Sequence, residues 1–539
     1  MIFKSIFITG GVLSSLGKGL TAASLALLLK QAGHRVALLK LDPYLNVDSG
    51  TMNPYEHGEV YVTEDGMETD LDLGHYYRYT GLPLGQHSIA TAGSIYASVL
   101  GKERKGDYLG CTIQIIPHIT HEIKQRIIAC AHTANAEIVL VEIGGTVGDM
   151  ESLSFLEAIR QFCLERADSC FKIHMTYIPY LKAAGELKTK PTQHSAQTLR
   201  SIGIIPDMII CRSEKPLNHD IRKKIGLFCN VSVDAVFELL DVKHSIYEIP
   251  VLLRDQNILN VICKSLNIPH LAIQLPEWET LIYKLKNLTH NIRIGIVGKY
   301  LKHQDAYKSV FEALNHASIH LGSKIEIVTI DADDDAMENL LKTCHGCLVP
   351  GGFGPRGWEG KLKAVKWCRE NNLPFFGICF GMQAMAVEFA RHVLKLNNAN
   401  STEIDNTTPY PVICLEAEQV GISDLGGSMR LGNYNCILKP QSKAFKAYQT
   451  NTITERHRHR YEVNQNFVSL FEEHGLNISG THLINDNTTL CEILEYPNHP
   501  WMVGVQFHPE FLSQPTAPHP LFTEFIKASI AYFNEEKNL

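Results

Sequence analysis

Short apolar runs that end in glycine and open into helix-like segments recur along this chain, and a parallel sheet with helical crossovers accommodates that pattern. Near the N-terminus, KSIFITGG, GKGLTAASLALLLKQAG and HRVALLKLD follow one another as strand, glycine-rich turn and helix, then strand, the first βαβ unit of such a sheet. AEIVLVEIGG (136–145), FKIHMTYIPY (171–180) and PDMIICRS (206–213) continue the pattern. It lapses in IPHLAIQLPEWETLIYKLKNLTH, which carries prolines and reads as a linker with a short amphipathic helix. A second sheet opens at NIRIGIVGKY (291–300) and runs on through KIEIVTID, GCLVPGG and LPFFGICFG. The expected architecture is therefore α/β in two domains, 1–266 and 291–539, joined by a linker at 267–290. Each domain is expected to hold a mostly parallel sheet with helices on both faces. A length of 539 residues is too great for one hydrophobic core and agrees with that division.

Composition narrows the function classes. A formal charge of −7 argues against a nucleic-acid surface, which draws on a basic excess. No apolar run approaches the roughly 20 residues of a spanning helix, so no membrane partner is expected. The N-terminus reads as a strand rather than a signal peptide. Fourteen cysteines without a disulfide-like framework fit a reducing, cytoplasmic setting.

TGGVLSSLGKGLT (9–21) follows a strand and opens a helix, where backbone N–H groups and the helix dipole favour a phosphate and Lys18 reaches its outer oxygens. The match to a strict P-loop is incomplete: Val12 stands at its first glycine, and Gly19 at its Ser or Thr. Glu142 ends an apolar strand at the edge where open α/β sheets hold ligands, and Asp70 and Asp72 lie in METDLDLGHY. Two carboxylates beside a triphosphate suit Mg²⁺, which takes hard oxygen ligands. KTKPTQHS (188–195) reads either as a cationic loop for a second phosphate-bearing ligand or as a solvated turn.

In the second half, Gly377-Ile378-Cys379-Phe380-Gly381 lies between an apolar strand and an apolar helix, the layout of a nucleophile elbow with cysteine in place of serine. A thiol at a helix N-terminus is readily ionised. FHPEF (507–511) supplies His508 as base and Glu510 as the carboxylate that orients it, and VPGGFG (349–354) offers successive backbone N–H groups for an oxyanion. Together they point to amide hydrolysis through a thioester. Cys344 and Cys347 have CxxC spacing without a second pair and read as structural. ERHRHRYE (455–462) suits either a bound carboxylate or internal ion pairs.

GICFGMQ with FHPEF resembles the class I glutamine amidotransferase domain. SSLGKG, KLDPYLNVD, GTMNPYEHGEVYVTEDGMETDLDLGHYYR, EIGGTVGDMES and KTKPTQHS resemble the amidoligase domain of the CTP synthase family, and PGGFGPRGWEG and ERHRHRYEVN belong to the same pattern. The resemblance runs almost end to end and implies a P-loop NTPase-like synthase domain followed by a class I glutaminase domain. A rival layout, that of the corrinoid amidases, does not account for KTKPTQHS or the string 51–78. A filament-former with an inactive site is at odds with the filled catalytic positions.

The resemblance implies that UTP, ATP and glutamine give CTP, with Mg²⁺ accompanying ATP, GTP as activator and CTP as feedback inhibitor. It implies ATP contacts at Ser15, Leu16, Gly17, Lys18, Gly19, Leu20, Lys40, Asp72, Leu240, Asp241 and Val242, and metal ligands Asp72 and Glu142. The UTP and CTP positions it implies are Ser14, Asp149, Met150, Glu151, Lys188, Thr189, Lys190, Pro191, Thr192, Gln193 and Lys224. Glutamine contacts fall at Gly352, Phe380, Gly381, Met382, Gln383, Glu403 and Arg460, around the triad Cys379, His508 and Glu510. Pro355 departs from the aromatic that the family often carries in PGGFG-x-RG, a lid tied to the response to GTP. A homotetramer assembled through the amidoligase domain, and an ammonia route passing Leu109, are further implications.

Overall fold

The computed structural model describes residues 3–299, 304–415, 427–485 and 488–538. The chain divides into two compact units: Met1–Asp48 with Asp72–Ile282, and Ser49–Leu71 with Tyr283–Leu539.

The first unit is built on a seven-stranded sheet ordered Val236–Leu240, Met208–Ser213, Cys170–Ile178, Lys4–Gly10, Ile138–Ile143, Val36–Asp42 and Ile89–Thr91. Every pairing is parallel. Val36–Asp42 and Ile138–Ile143 are buried along their whole length, as strands covered on both faces are, and the charged residues they carry, Lys40, Asp42 and Glu142, lie at their C-terminal ends. Strand order reverses around Lys4–Gly10, and there the loop 11–17 leaves the sheet at its C-terminal edge to start helix Lys18–Gln31. Leu109 is 93% exposed at φ +51°, so within this unit it is no packing residue.

The second unit carries nine strands in the order Ser323–Asp331, His290–Gly298, Gly346–Val349, Phe375–Ile378, Met502–Val505, Thr488–Glu495, Asn477–Asn485, Arg430–Leu438 and Thr452–His459. The first five pair in parallel and hold the glycine-ended strands legible in the sequence. The other four extend the sheet antiparallel, making it mixed.

Segment 49–71, which the sequence gives no reason to separate from the first domain, packs into the second unit. Glu59 accepts hydrogen bonds from Ser309 N at 2.7 Å and Ser309 Oγ at 2.5 Å, and Arg458 Nε donates to Glu68 at 2.8 Å. The Tyr61 ring meets Phe511 edge-on, with centroids 5.0 Å apart. Among the described residues no helix is long and apolar enough to cross a membrane.

Candidate active sites

The phosphate-loop candidate of the first unit is a strained turn. Val12, Ser15 and Gly17 all take left-handed backbone, at φ +81°, +56° and +88°. For a β-branched residue that conformation costs about 1–3 kcal/mol, so Val12 occupies the glycine position of a P-loop at the price of strain. Lys18 Nζ donates to Gly145 O at 2.8 Å. Burial lowers the Lys18 pKa, while Glu142 beside it pulls the other way.

Lys40, almost fully buried, gathers three carboxylates. Its Nζ pairs with Asp72, lies 3.2 Å from Glu142 Oε1, and is 3.7 Å from Asp42 Oδ1. Burial pushes the Asp72 carboxyl up, but Lys40, His75 and Lys18 outweigh it and hold it at about 2. Burial wins at Glu142, whose pKa is raised and whose Oε2 accepts from Tyr76 OH.

Gly19 explains the second departure from a strict P-loop. A Cβ there would overlap Asp72 Oδ1, lie 2.9 Å from its Cγ, and stand 3.4 Å from Glu142 Oε2. The Asp72 carboxylate thus fills the space where a P-loop has its Ser or Thr side chain. Two hard oxygen donors facing a bare helix N-terminus fit Mg²⁺ well.

The neighbouring predicted positions converge on the same sheet edge. Val147 N donates to Gly10 O at 2.8 Å, tying the loop that carries Asp149, Met150 and Glu151 to the phosphate loop. Those three side chains and Ser14 are exposed. Arg212 bridges from the other side, with Nη1 on Ser15 O at 2.7 Å and Nε on Asp241 Oδ1 at 2.8 Å, and so brings the segment Leu240–Val242 to the loop. Thr189, Thr192 and Gln193 are buried at the start of helix Lys190–Ser201, with Thr192 Oγ1 on Thr176 Oγ1 at 3.1 Å and Gln193 Nε2 on Thr189 Oγ1 at 3.0 Å. Lys190 is exposed over the Phe228 ring at 5.8 Å. Lys188 pairs with Glu186, whose pKa is lowered by the hydrogen bond from Lys188, then by its charge and, to a smaller extent, by that of Lys224. His174 is a buried strut between strands and helix, with Nδ1 at 2.9 Å from Thr9 Oγ1 and Nε2 at 2.8 Å from Ser195 Oγ. Burial drives its pKa down to about 3.

In the second unit Cys379 ends strand Phe375–Ile378 at φ +51° and caps helix Phe380–His392. The glycines beside it are sterically required. A Cβ on Gly377 would lie 2.8 Å from the Gly381 backbone, and one on Gly381 would overlap Val349 O. His508 Nδ1 is 2.8 Å from Glu510 Oε1, and His508 Nε2 is buried without a hydrogen-bond partner among the described residues. Burial alone would lower the His508 pKa, but the charges of Glu510 and Cys379 raise it to about 10. The imidazole therefore favours its cationic form, which stabilises a thiolate beside it. Gly351 packs on the imidazole, where a Cβ would be 2.8 Å from His508 Cε1.

Cys379, His508 and Glu510 line a cavity of 530 Å³ together with Gly352, Glu403 and Arg460. Glu403 Oε1 accepts from Gly354 N at 2.6 Å, and burial raises its pKa. Arg460 Nη2 donates to Ser428 Oγ at 2.6 Å. Phe380, Gly381, Met382 and Gln383 are buried in the helix after the nucleophile. Gln383 Nε2 donates to Tyr461 O at 2.9 Å, and its Oε1 has no hydrogen-bond partner among the described residues. Pro355 is exposed at the end of the glycine loop. Cys344 and Cys347 are buried, and burial pushes the Cys344 thiol up to about 12, as suits packing.

Residues 4–268 match the family described as CTP synthase N-terminus, and residues 302–528 match glutamine amidotransferase class-I. A CTP synthase of Chlamydia felis is 60% identical over 99% of this chain and 98% of its own length. Those of Chlamydia abortus (59%, covering 99% of each chain) and Chlamydia caviae (58%, covering 100% of each) are similar throughout. The chain belongs to the CTP synthase family. It is accordingly an enzyme, a ligase with a glutamine amidotransferase domain. A solved Trypanosoma brucei CTPS glutaminase domain with bound acivicin is 34% identical, covering 44% of this chain and 94% of its own, with a TM-score of 0.42.

The cavity of the second unit has further lining. Arg458 faces it from two residues before Arg460, a spacing that puts both on one face of the chain, as strand alternation does. Gly50, Thr51, Met52, Pro54, Glu59 and Val60 reach it from segment 49–71, for which no local pattern gave a signal. In the first unit, Arg212 was missed because it is an ordinary strand-end arginine until its two partners are seen.

The glycine at 19 is directly testable. Gly19→Ala must displace Asp72, and CTP formation is expected to fall roughly a hundredfold with either nitrogen source, the scale of losing an electrostatic contact at a charged transition state. Steady-state rates at varied Mg²⁺ measure this. Wild-type rates would show that Asp72 does not need that space.

Proposed function

We propose that the chain makes CTP from UTP by phosphorylating the uracil 4-oxygen with ATP on the first unit and displacing that phosphate with ammonia released from glutamine on the second. Water, UTP, ATP and glutamine are consumed; CTP, ADP, phosphate and glutamate are formed. Cys379 attacks the glutamine amide as thiolate, His508 gives the departing nitrogen its proton, and water then cleaves the thioester with His508 as base. Glu510 holds the imidazole, while Gly352 and the N–H groups after Cys379 face the oxyanion. Arg460 takes the substrate carboxylate, as a planar guanidinium can, and Glu403 its ammonium. Phe380, Gly381, Met382 and Gln383, the first residues of the helix after Cys379, are assigned to the glutamine contacts by the family's pattern.

On the first unit the loop Ser15–Leu20 with Lys18 and Lys40 holds the ATP phosphates, and Leu240, Asp241 and Val242 hold the adenine side. Asp72 and Glu142 would hold Mg²⁺, which when bound neutralises phosphate charge. Ser14, the run Lys188–Gln193 and Lys224 take UTP, and Asp149, Met150 and Glu151 take CTP as inhibitor. GTP activation through the PGGFGPRG lid, a homotetramer and a cytoplasmic setting complete the reading, as does a division of labour at the linker 267–290.

The observation that supports this most is the triad cavity, in which a strained cysteine, an imidazole paired with Glu510 and an arginine face one space. Segment 49–71 lines that cavity and runs on in the chain into Asp72, a connection suited to coupling ammonia release to the synthase acids. The test is CTP formation from UTP and ATP with glutamine or with ammonia. Activity with both is expected, and glutamate release without CTP would contradict it.

A further inference from the structure

Lys361 has no part in the roles assigned so far, and it lies behind the cavity's glycine loop. It lies in the first turn of helix Trp358–Glu370, is completely buried, and its Nζ has no hydrogen-bond partner among the described residues. A buried, unpaired ammonium is costly, so a structural lysine at such a place would be expected to hold a carboxylate or a carbonyl. Instead Nζ lies 4.5 Å from the centroid of the Phe380 ring, which packs against Trp358 at 4.7 Å. A Cβ on Gly352 would stand 3.5 Å from Lys361 Nζ, so the amine sits against the glycine loop that faces the nucleophile.

The charged and titratable groups acting on it come from several elements. Burial pushes the Lys361 ammonium down to about 7; Lys299 and Arg356 push the same way, while Cys379 and Glu403 pull it up. Lys299 Nζ is itself engaged by Phe353 O. Glu403 gives one carboxylate oxygen to Gly354 N at 2.6 Å. Cys379 and Glu403 are thus the anionic groups that act on Lys361, and of the two only Cys379 gains its charge during turnover.

We propose that Lys361 is a positioning residue of the glutaminase site, its ammonium kept unpaired against Gly352 and Phe380 as counter-charge to the Cys379 thiolate and to the oxyanion formed on attack. In that step a sulfur–carbon bond forms and the carbonyl π pair moves to oxygen. When the oxyanion collapses, the carbon–nitrogen bond breaks and ammonia leaves with a proton from His508. Negative charge resides on sulfur or oxygen until the collapse, and Lys361 stabilises it in both places. The inference rests on the glutaminase reading of Cys379.

Lys361→Met keeps length and apolar bulk and removes the charge. Replacing a buried, poorly paired charge by an apolar side chain is often neutral or stabilising, so Tm should hold or rise. Glutamine-dependent kcat should fall about tenfold or more, with KM for glutamine changed much less. Iodoacetamide alkylation of Cys379, read by mass spectrometry of its peptide from about pH 6 to about pH 9, should shift its midpoint up by about one unit. An unchanged midpoint or an unchanged kcat overturns the proposal. So does a lower Tm, which would make Lys361 a structural anchor. Protection of wild-type Cys379 by glutamine is read in the same experiment; its absence would instead refute the glutaminase reading.

Discussion

Lys18→Ala is expected to abolish CTP formation with glutamine and with ammonia alike. Both nitrogen sources need UTP already activated by ATP, and Lys18 is the cation at the turn where the triphosphate is proposed to sit. Its Nζ rests on Gly145 O at 2.8 Å, within the field of Glu142, Lys40, Asp72 and Asp42. Phosphoryl transfer is catalysed mainly by positioning and charge stabilisation, so deleting one such cation costs roughly a hundred- to a thousandfold in rate. Substrate-independent glutamine hydrolysis on the other unit should survive, which separates loss of chemistry from loss of fold. Residual synthesis with ammonia above about a hundredth of wild type would count against a catalytic Lys18.

Cys379→Ala is expected to divide the two activities. Glutamine-dependent synthesis should be lost by about a millionfold, the scale seen when the nucleophile of a triad is removed. Synthesis from ammonia should stay within about twofold of wild type, because no thioester is needed when the nitrogen is supplied free. The substitution leaves the elbow able to form: the glycines at 377 and 381 still give the helix its close approach to Val349. Rates with each nitrogen source on one preparation decide the matter, and loss of both would refute the separation of sites.

Much of this was legible because the chemistry lies where buried strands end. An apolar run that stops at glycine marks both a strand and the place its loop leaves the sheet, so the positions of Lys18, Glu142 and Cys379 are legible in the sequence. Local pattern also exposed the oddities at Val12 and Gly19, but not their cause. Val12 carries its strain in backbone torsion, and Gly19 is bare because Asp72, distant in sequence, fills the space. Arg212 escaped notice because its role comes from partners far away in sequence, Ser15 and Asp241, whereas the internal ion pair open to ERHRHRYE is made by Arg458, with a partner, Glu68, that the motif could not name. Segment 49–71 is short on regular structure. Its membership of the second unit is set by Glu59, Tyr61 and Glu68 meeting residues hundreds of positions later, which no periodicity foretells. The antiparallel half of the second sheet was hidden for a related reason, since its strands lack the glycine-ended signature of the parallel ones.

The most direct test of the account follows the nitrogen itself. Wild-type protein is given UTP, ATP, Mg²⁺ and glutamine isotopically labelled at the amide nitrogen, in a buffer containing unlabelled ammonia at a concentration too low to sustain synthesis. CTP is expected to carry the label at its exocyclic amine, with one glutamate and one ADP formed for each CTP. Glutamate released while CTP stays unlabelled, or no CTP at all, would contradict it.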